Sequence, residues 1–227
     1  MQKVKKAKPT LYVTEIGIAQ WPYLITPDEF KGKKAYKVDL SLDELSKVFN
    51  ARTGEDLGPL LDFVCAANSD HFEKVEAEVE GKKDKRGRPI TVDEAEAPAF
   101  LVDGKVTARF KMNAEGEKKD GTPFTQEPAI FDKRLKPFDK ENGGGIWSGS
   151  KLRVSFEVVP YHMASAKIAG VSLRLKAVQV VELVNASTGG TGAAPTGFAA
   201  MGGEDDDHEE GAFDNTPSAA DDEGGDY

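Results

Sequence analysis

The sequence predicts a β-rich α+β fold with an acidic C-terminal segment, and three observations lead there. First, several stretches alternate apolar and polar residues with a period of two, the pattern of half-buried strands. Leu152, Val154, Phe156 and Val158 alternate with Lys151, Arg153, Ser155 and Glu157; Val171, Leu173 and Leu175 alternate with Ser172, Arg174 and Lys176; Val106, Ala108, Phe110 and Met112 alternate with Thr107, Arg109 and Lys111. Second, apolar residues at helical spacing are confined to the region between about residues 41 and 79. Third, beyond residue 184 the chain has no Lys or Arg but holds eleven of its 39 acids, in a background of small residues that cannot build a core. The expected organisation is a folded body over 1–184, a flexible linker over 185–203 and a disordered acidic tail over 204–227.

In chain order, KVKKAK at 3–8 is a basic arm, which fits either a contact to backbone phosphates or a frayed terminus. LYVTEIGIAQ then predicts a first strand, and Trp21 and Tyr23 after it suit either a core anchor or a ring that stacks a base. Pro27 and Asp28 mark a turn before a second strand, in which Tyr36, Val38, Leu40 and Leu42 share one face. Ser41 opens S-L-D-E, a capping box, and Leu42, Leu45, Val48 and Phe49 predict a short helix from there. A longer helix is predicted over 57–79, with Leu60, Leu61, Val64, Cys65, Phe72 and Val75 inward. Residues 81–89 hold five cations among two glycines and a proline, a loop that is either a basic flap over a groove or a solvated connection. The strand containing Val106 to Met112 follows, then a hairpin turn or loop at GEKKDGTPF and a short strand at 129–131. Lys133, Arg134 and Lys136 form another basic cluster. Three glycines at 143–145 precede Trp147, whose indole is equally suited to stacking a base or to burial.

Composition excludes several classes. The single cysteine, Cys65, rules out an internal disulfide and a multi-cysteine zinc site, fits a reducing compartment, and is expected as a small core residue. No apolar run approaches the roughly 20 residues needed to span a bilayer, and the N-terminus lacks the apolar segment of a signal peptide. There is no Gly-Lys-Ser/Thr phosphate loop and no strand-to-helix Gly-x-Gly-x-x-Gly. His71, His162 and His208 are scattered, and the carboxylates form no recognisable catalytic pair. Neither an enzymatic activity nor a cofactor or metal is expected.

The net charge of -9 is misleading as an average. All 30 Lys and Arg lie at or before Lys176, so the body holds 30 bases against 28 acids while the tail is purely acidic. Within the body the outward positions Arg109, Lys111, Lys151, Arg153, Arg174 and Lys176 are all basic, with Glu157 the exception. Cations suit phosphates and a nearby ring, Tyr161, offers a π-face to an unpaired base, which is what a single nucleic-acid strand requires. The competing reading is an ordinary solvated sheet face.

The stretch SGSKLRVSFEVVPYHMASAKIAGVSLRLKAVQVVEL, with its GSKLRV, VPY and closing VVEL, resembles the core of the phage replication-type single-stranded DNA-binding proteins, as do AYKVDL at 35–40 and the tail. The resemblance implies an OB-fold, a five-stranded antiparallel barrel, here with inserted helices. It implies sequence-independent binding and protection of single-stranded DNA in phage replication, recombination and repair, within the cytoplasm of an infected host cell. The DNA-binding residues it points to are Arg109, Lys111, Lys151, Arg153, Tyr161, Arg174 and Trp147. The chain departs from the family at Asn113, where another aromatic is usual, so Trp147 or Trp21 would supply that ring. The resemblance also implies that the tail, through Asp205, Asp206, Asp207, Glu209, Glu210, Asp222 and the terminal Tyr227, competes with DNA and docks replication partners such as a DNA polymerase and a helicase/primase. Tail-mediated homodimers would follow as well. Two other functions fit the residues: an acidic-tailed interaction adaptor that leaves DNA alone, and an RNA-binding OB domain.

Overall fold

The computed structural model describes residues 9–118, 120–141 and 144–184, all within the compact unit Met1–Gly192. The basic arm at 3–8, the linker and the acidic tail lie outside the described residues. In chain order the elements are β1 (Tyr12–Thr14), β2 (Gly17–Phe30), β3 (Lys33–Asp43), β4 (Lys47–Asn50), β5 (Asp56–Pro59), α1 (Leu60–Val79), β6 (Asp93–Glu94), β7 (Ala99–Val102), β8 (Lys105–Asn113), β9 (Glu115–Glu117), β10 (Pro123–Thr125), β11 (Ala129–Phe131), β12 (Lys151–Met163) and β13 (Ile168–Glu182). The fold is therefore β-rich, with a single α-helix among the described residues where the sequence suggested more than one.

Eleven strands form one sheet in the order β11-β13-β8-β3-β2-β12-β1-β4-β5, with β6 and β7 attached beside β13 and β8; β9 and β10 make a separate hairpin. Within that path β2, β3, β8, β13 and β12 pair in succession, and β12 pairs back to β2 through Lys151↔Ile18 and Leu152↔Gly17. Alternation places one set of side chains inside: Val38, Leu40, Phe110, Leu152, Val154, Phe156, Leu173 and Leu175 are essentially without solvent contact. Phe110 and Phe156 meet at 5.1 Å between centroids, and Tyr12 closes on Phe156 at 5.7 Å and on Phe63 of α1 at 4.9 Å. Gly17 permits the close approach of β2 to β3, since a methyl group there would lie 2.6 Å from Leu40 Cγ and 2.8 Å from the Ser41 carbonyl.

The predicted capping-box helix does not form. Leu42 is instead paired with Val106 in the β3–β8 ladder, and Leu45, which a helix would have buried, is 76% exposed in the turn before β4. The long helix is present but starts at Leu60, because the preceding four residues are taken by β5. Its buried side is Leu60, Val64, Asn68 and Val75. Cys65 is exposed and not a core residue; it falls on the outer side of α1, one position past Val64, where partial burial, Asp62 and Glu94 push its thiol above the usual value. Asn68 fastens α1 to the sheet, donating to the Ala95 carbonyl at 2.8 Å and to Glu94 at 2.9 Å while accepting from the Val171 N–H at 2.9 Å. The first long strand of the β12–β13 ribbon also runs further than expected, past Pro160 and Tyr161 to Met163, because Ile168–Val171 pair with those residues. No helix among the described residues is long and apolar enough to cross a membrane.

Candidate nucleic-acid interface

Register assembles a row of side chains that sequence parity only hinted at. Tyr23 is opposite Lys37, Lys37 opposite Lys111, Lys111 beside Arg174, and Arg174 opposite Glu157, so five strands contribute one residue each to a line across the sheet. At about 4.8 Å per strand the line spans roughly 19 Å. Its residues alternate with the buried Val38, Phe110, Leu173 and Phe156 and so lie on the outer side of the sheet, Glu157 alone being itself covered there. Lys37 Nζ sits 4.9 Å above the Tyr23 ring and 2.7 Å from Asp28. Glu157, almost fully buried, holds two cations, Arg174 at 3.7 Å and Lys176 at 3.5 Å. Lys111 makes no ion pair among the described residues.

A second row runs beside the first. Gln20 is opposite Asp39 and Asp39 opposite Arg109, whose guanidinium lies 3.5 Å from the Asp39 carboxylate and 4.6 Å from the centre of the Phe100 ring. Burial raises the Asp39 carboxyl above its ordinary value, against the opposing pull of Arg109 and Lys37.

Of the residues singled out from sequence, Arg109, Lys111 and Arg174 are thus brought together. Lys151 and Arg153 share the outer face of β12 but lie toward its start; Arg153 is four residues from Glu157, roughly 13 Å along the strand. Lys151 is paired with Glu182 at 2.6 Å. Arg153 donates to the Thr14 carbonyl at 3.2 Å and floors a cleft of about 590 Å³, together with Ser155 and Gln179, between Phe49 on one side and Phe131 and Leu135 on the other. Tyr161 lies at the opposite end of β12, half-buried across from Gly170, and its carbonyl accepts a 3.1 Å hydrogen bond from His71 Nε2 of α1. Trp147 is 52% exposed just before β12. The tail residues Asp205, Asp206, Asp207, Glu209, Glu210, Asp222 and Tyr227 lie outside the described residues.

Two corrections follow. The outward face is more mixed than the single exception, Glu157, implied, since Asp28, Asp39 and Glu182 are also interleaved with the cations, and together these carboxylates pair with most of them. Sequence reasoning also passed over Lys37 and Phe100, although Lys37 stands at an outward position of a recognised strand and could have been found from that parity alone. Among the described residues no three His, Cys, Asp or Glu side chains are grouped to hold a metal ion.

A family model described as the single-stranded DNA-binding protein of bacteriophage T7 matches residues 18–183. The chain belongs to that family. It is 32% identical to the single-stranded DNA-binding protein of Enterobacteria phage T3 over 195 residues, covering 81% of this chain and 80% of that one. It is 29% identical to the Escherichia phage T7 protein over 184 residues, covering 76% of each. Among solved structures, the crystal structure of the bacteriophage T7 single-stranded DNA-binding protein superposes with a TM-score of 0.62 at 25% identity, covering 77% of this chain and 93% of the other. In this single-stranded DNA-binding family member, the matched span includes every residue of both rows, together with Lys151, Arg153, Tyr161 and Trp147. It ends before the acidic tail.

Proposed function

We infer that this chain is a sequence-independent single-stranded DNA-binding protein that coats and protects unpaired DNA during phage replication, recombination and repair. The observation that carries the reading is the in-register line Lys37, Lys111 and Arg174 beside Tyr23, within the span matched by the family model. Cations at strand spacing can neutralise successive phosphates of a strand laid across them, and rings at their edge offer stacking surfaces worth about 1–3 kcal/mol per base. In this reading the ring of pairings β2-β3-β8-β13-β12 is an OB barrel, and its outer face is the binding groove. Arg109, Lys111 and Arg174 form its centre. Lys151, Arg153 and Trp147 extend it one way, and Tyr161 the other. The acidic tail competes with DNA for this face and docks replication partners, a DNA polymerase and a helicase/primase among them, with Tyr227 as its terminal anchor; tail exchange between copies would give homodimers.

The test is fluorescence anisotropy with labelled oligo-dT, oligo-U and duplex DNA. If about four phosphates are neutralised, log affinity for oligo-dT should fall against log salt with a slope near -3. Binding that ignores salt would refute the groove, preference for oligo-U would favour an RNA-binding domain, and no binding to any of the three would leave the adaptor reading standing.

A further inference from the structure

We propose that Trp21 is a base-stacking platform held ready for use by strain, and that with Trp147 it carries bound single-stranded DNA off the end of the cationic row. The proposal rests on the single-stranded DNA-binding function inferred above and adds a residue and a path to it. Trp21 is 73% exposed, the most exposed aromatic among the described residues, and its φ of 48° puts it in the left-handed region that a bulky L-residue rarely adopts. It sits in an irregularity of β2, between Gln20↔Asp39 and Tyr23↔Lys37, where Trp21 and Pro22 stand against Val38 alone and the strand thus carries one extra residue. A bulge of this kind re-aims a side chain, and here it turns an indole outward, where no packing rewards it.

The conformation is clasped from a distant part of the sequence. The Trp21 N–H donates to Ser148 Oγ at 3.0 Å, the Ala19 N–H to the Ser150 carbonyl at 2.8 Å, and the Gly149 N–H to the Ala19 carbonyl at 2.9 Å. Residues 148–150 are thereby laced alongside 19–21, and the residue next in line is Trp147, itself 52% exposed. Gly145 lies beneath the Trp147 indole, where a methyl group would come within 2.9 Å of Nε1 and Cε2. These are the only two tryptophans of the chain. Tyr23, two residues from Trp21, is 41% exposed and opens the cationic row under Lys37.

Exposed rings thus continue from Lys37 and Tyr23 through Trp21 toward Trp147. An apolar face of this kind with cations at one end fits the unpaired bases of a strand whose phosphates run on to Lys37 and Lys111. A rigid backbone distortion aimed at solvent is what a pre-set stacking platform needs, because the strain is borne by the fold before the ligand arrives.

Two measurements decide it. In Trp147→Phe, Trp21 is the sole indole, and titration with labelled oligo-dT should quench its emission along the same isotherm as the anisotropy rise. Anisotropy that rises with unchanged emission overturns the platform while leaving DNA binding intact; no anisotropy change removes both. In Trp21→Asn, a residue that tolerates the left-handed backbone, the melting temperature should hold while oligo-dT affinity falls roughly 5- to 150-fold, with an unchanged salt slope because no charge is lost. Undiminished affinity, or a loss explained by a lowered melting temperature, overturns the proposal.

Discussion

Lys111 offers the sharpest test of the cationic row, because its two roles predict effects of opposite sign. Its ladder partners on both sides are cations, Lys37 on β3 and Arg174 on β13, and it makes no ion pair among the described residues. Like charges directly opposite each other in a sheet destabilise by roughly 0.2–1 kcal/mol per pair. Asp28 already offsets Lys37 and Glu157 offsets Arg174, and the site is open to solvent, so the low end applies. Lys111→Gln should therefore stabilise the unliganded protein by about 0.5 kcal/mol, a rise in melting temperature of roughly 1–2 °C for a domain of this size. The same change removes one phosphate contact, which should make the salt slope for a single strand shallower by about 0.7. Between 50 and 200 mM salt that amounts to a deficit in affinity about 2.6-fold larger at the lower salt. Scanning calorimetry without DNA and anisotropy titration at the two salt concentrations measure both. A variant that melts several degrees lower, or whose binding deficit is the same at both salts, refutes the assignment of Lys111 to the phosphate path.

Three further perturbations have expected outcomes. Removal of residues 204–227 should strengthen oligo-dT binding at low salt and have little effect at high salt, since a tethered polyanion competes only while charges are unscreened; unchanged or weaker binding at low salt would reject self-masking. Asp39→Asn should tighten oligo-dT binding by releasing Arg109 and steepen the salt slope, while a flat response would show that Arg109 takes no part. Because burial raises the Asp39 carboxyl, the folded state takes up its proton more readily than the unfolded chain; ionised Asp39 thus lowers stability as pH climbs from the ordinary carboxylate value through the raised one, and Asp39→Asn should remove that part of the acid-range pH dependence. Gly170→Ala places a methyl 2.7 Å from both Ala95 Cβ and Asn68 Oδ1 and should destabilise by roughly 1–3 kcal/mol in urea unfolding; a neutral effect would mean that α1 is less firmly seated than its hydrogen bonds suggest.

The strands that build the core were legible because their alternation is unbroken: Val106, Ala108, Phe110 and Met112 are all buried, as are Leu152, Val154 and Phe156, and Val171, Leu173 and Leu175. A period of two survives any tertiary context that buries one face. The failures came where a local signal competed with long-range pairing. S-L-D-E at 41–44 has the chemistry of a helix start, yet nine consecutive register pairs between β3 and β8 carry the chain straight through to Asp43. A capping box is worth about one hydrogen bond on each side, and a ladder that buries Leu40 and Leu42 against Ala108 and Val106 outweighs it. Short elements such as β4 and β5 were invisible for the same reason: Val48 is buried and Leu45 is exposed, a distinction made by the partner strands and absent from the residues themselves.

The candidate site was legible in parity and illegible in register. Alternation tells which residues leave the core, so Arg109, Lys111, Arg174, Lys151 and Arg153 could be named; only pairing tells that Lys111 stands between Lys37 and Arg174 while Arg153 lies off that line, four residues before Glu157 on β12. Pairing also brings in the carboxylates, and they alter what the face can do. Asp28, Asp39 and Glu182 are partly exposed and can yield their cations to an incoming phosphate. Glu157 is buried and cannot follow its partners away, so Arg174 and Lys176 remain divided between it and any ligand. In the proposed groove, binding is then largely an exchange of one anion for another, with bare charge offered at Lys111, and stacking on neutral rings has to supply the remainder. A face built this way favours a flexible single strand, which can place each phosphate where a carboxylate gives way and still turn its bases onto Tyr23 and the exposed indoles, over a duplex whose bases are already stacked.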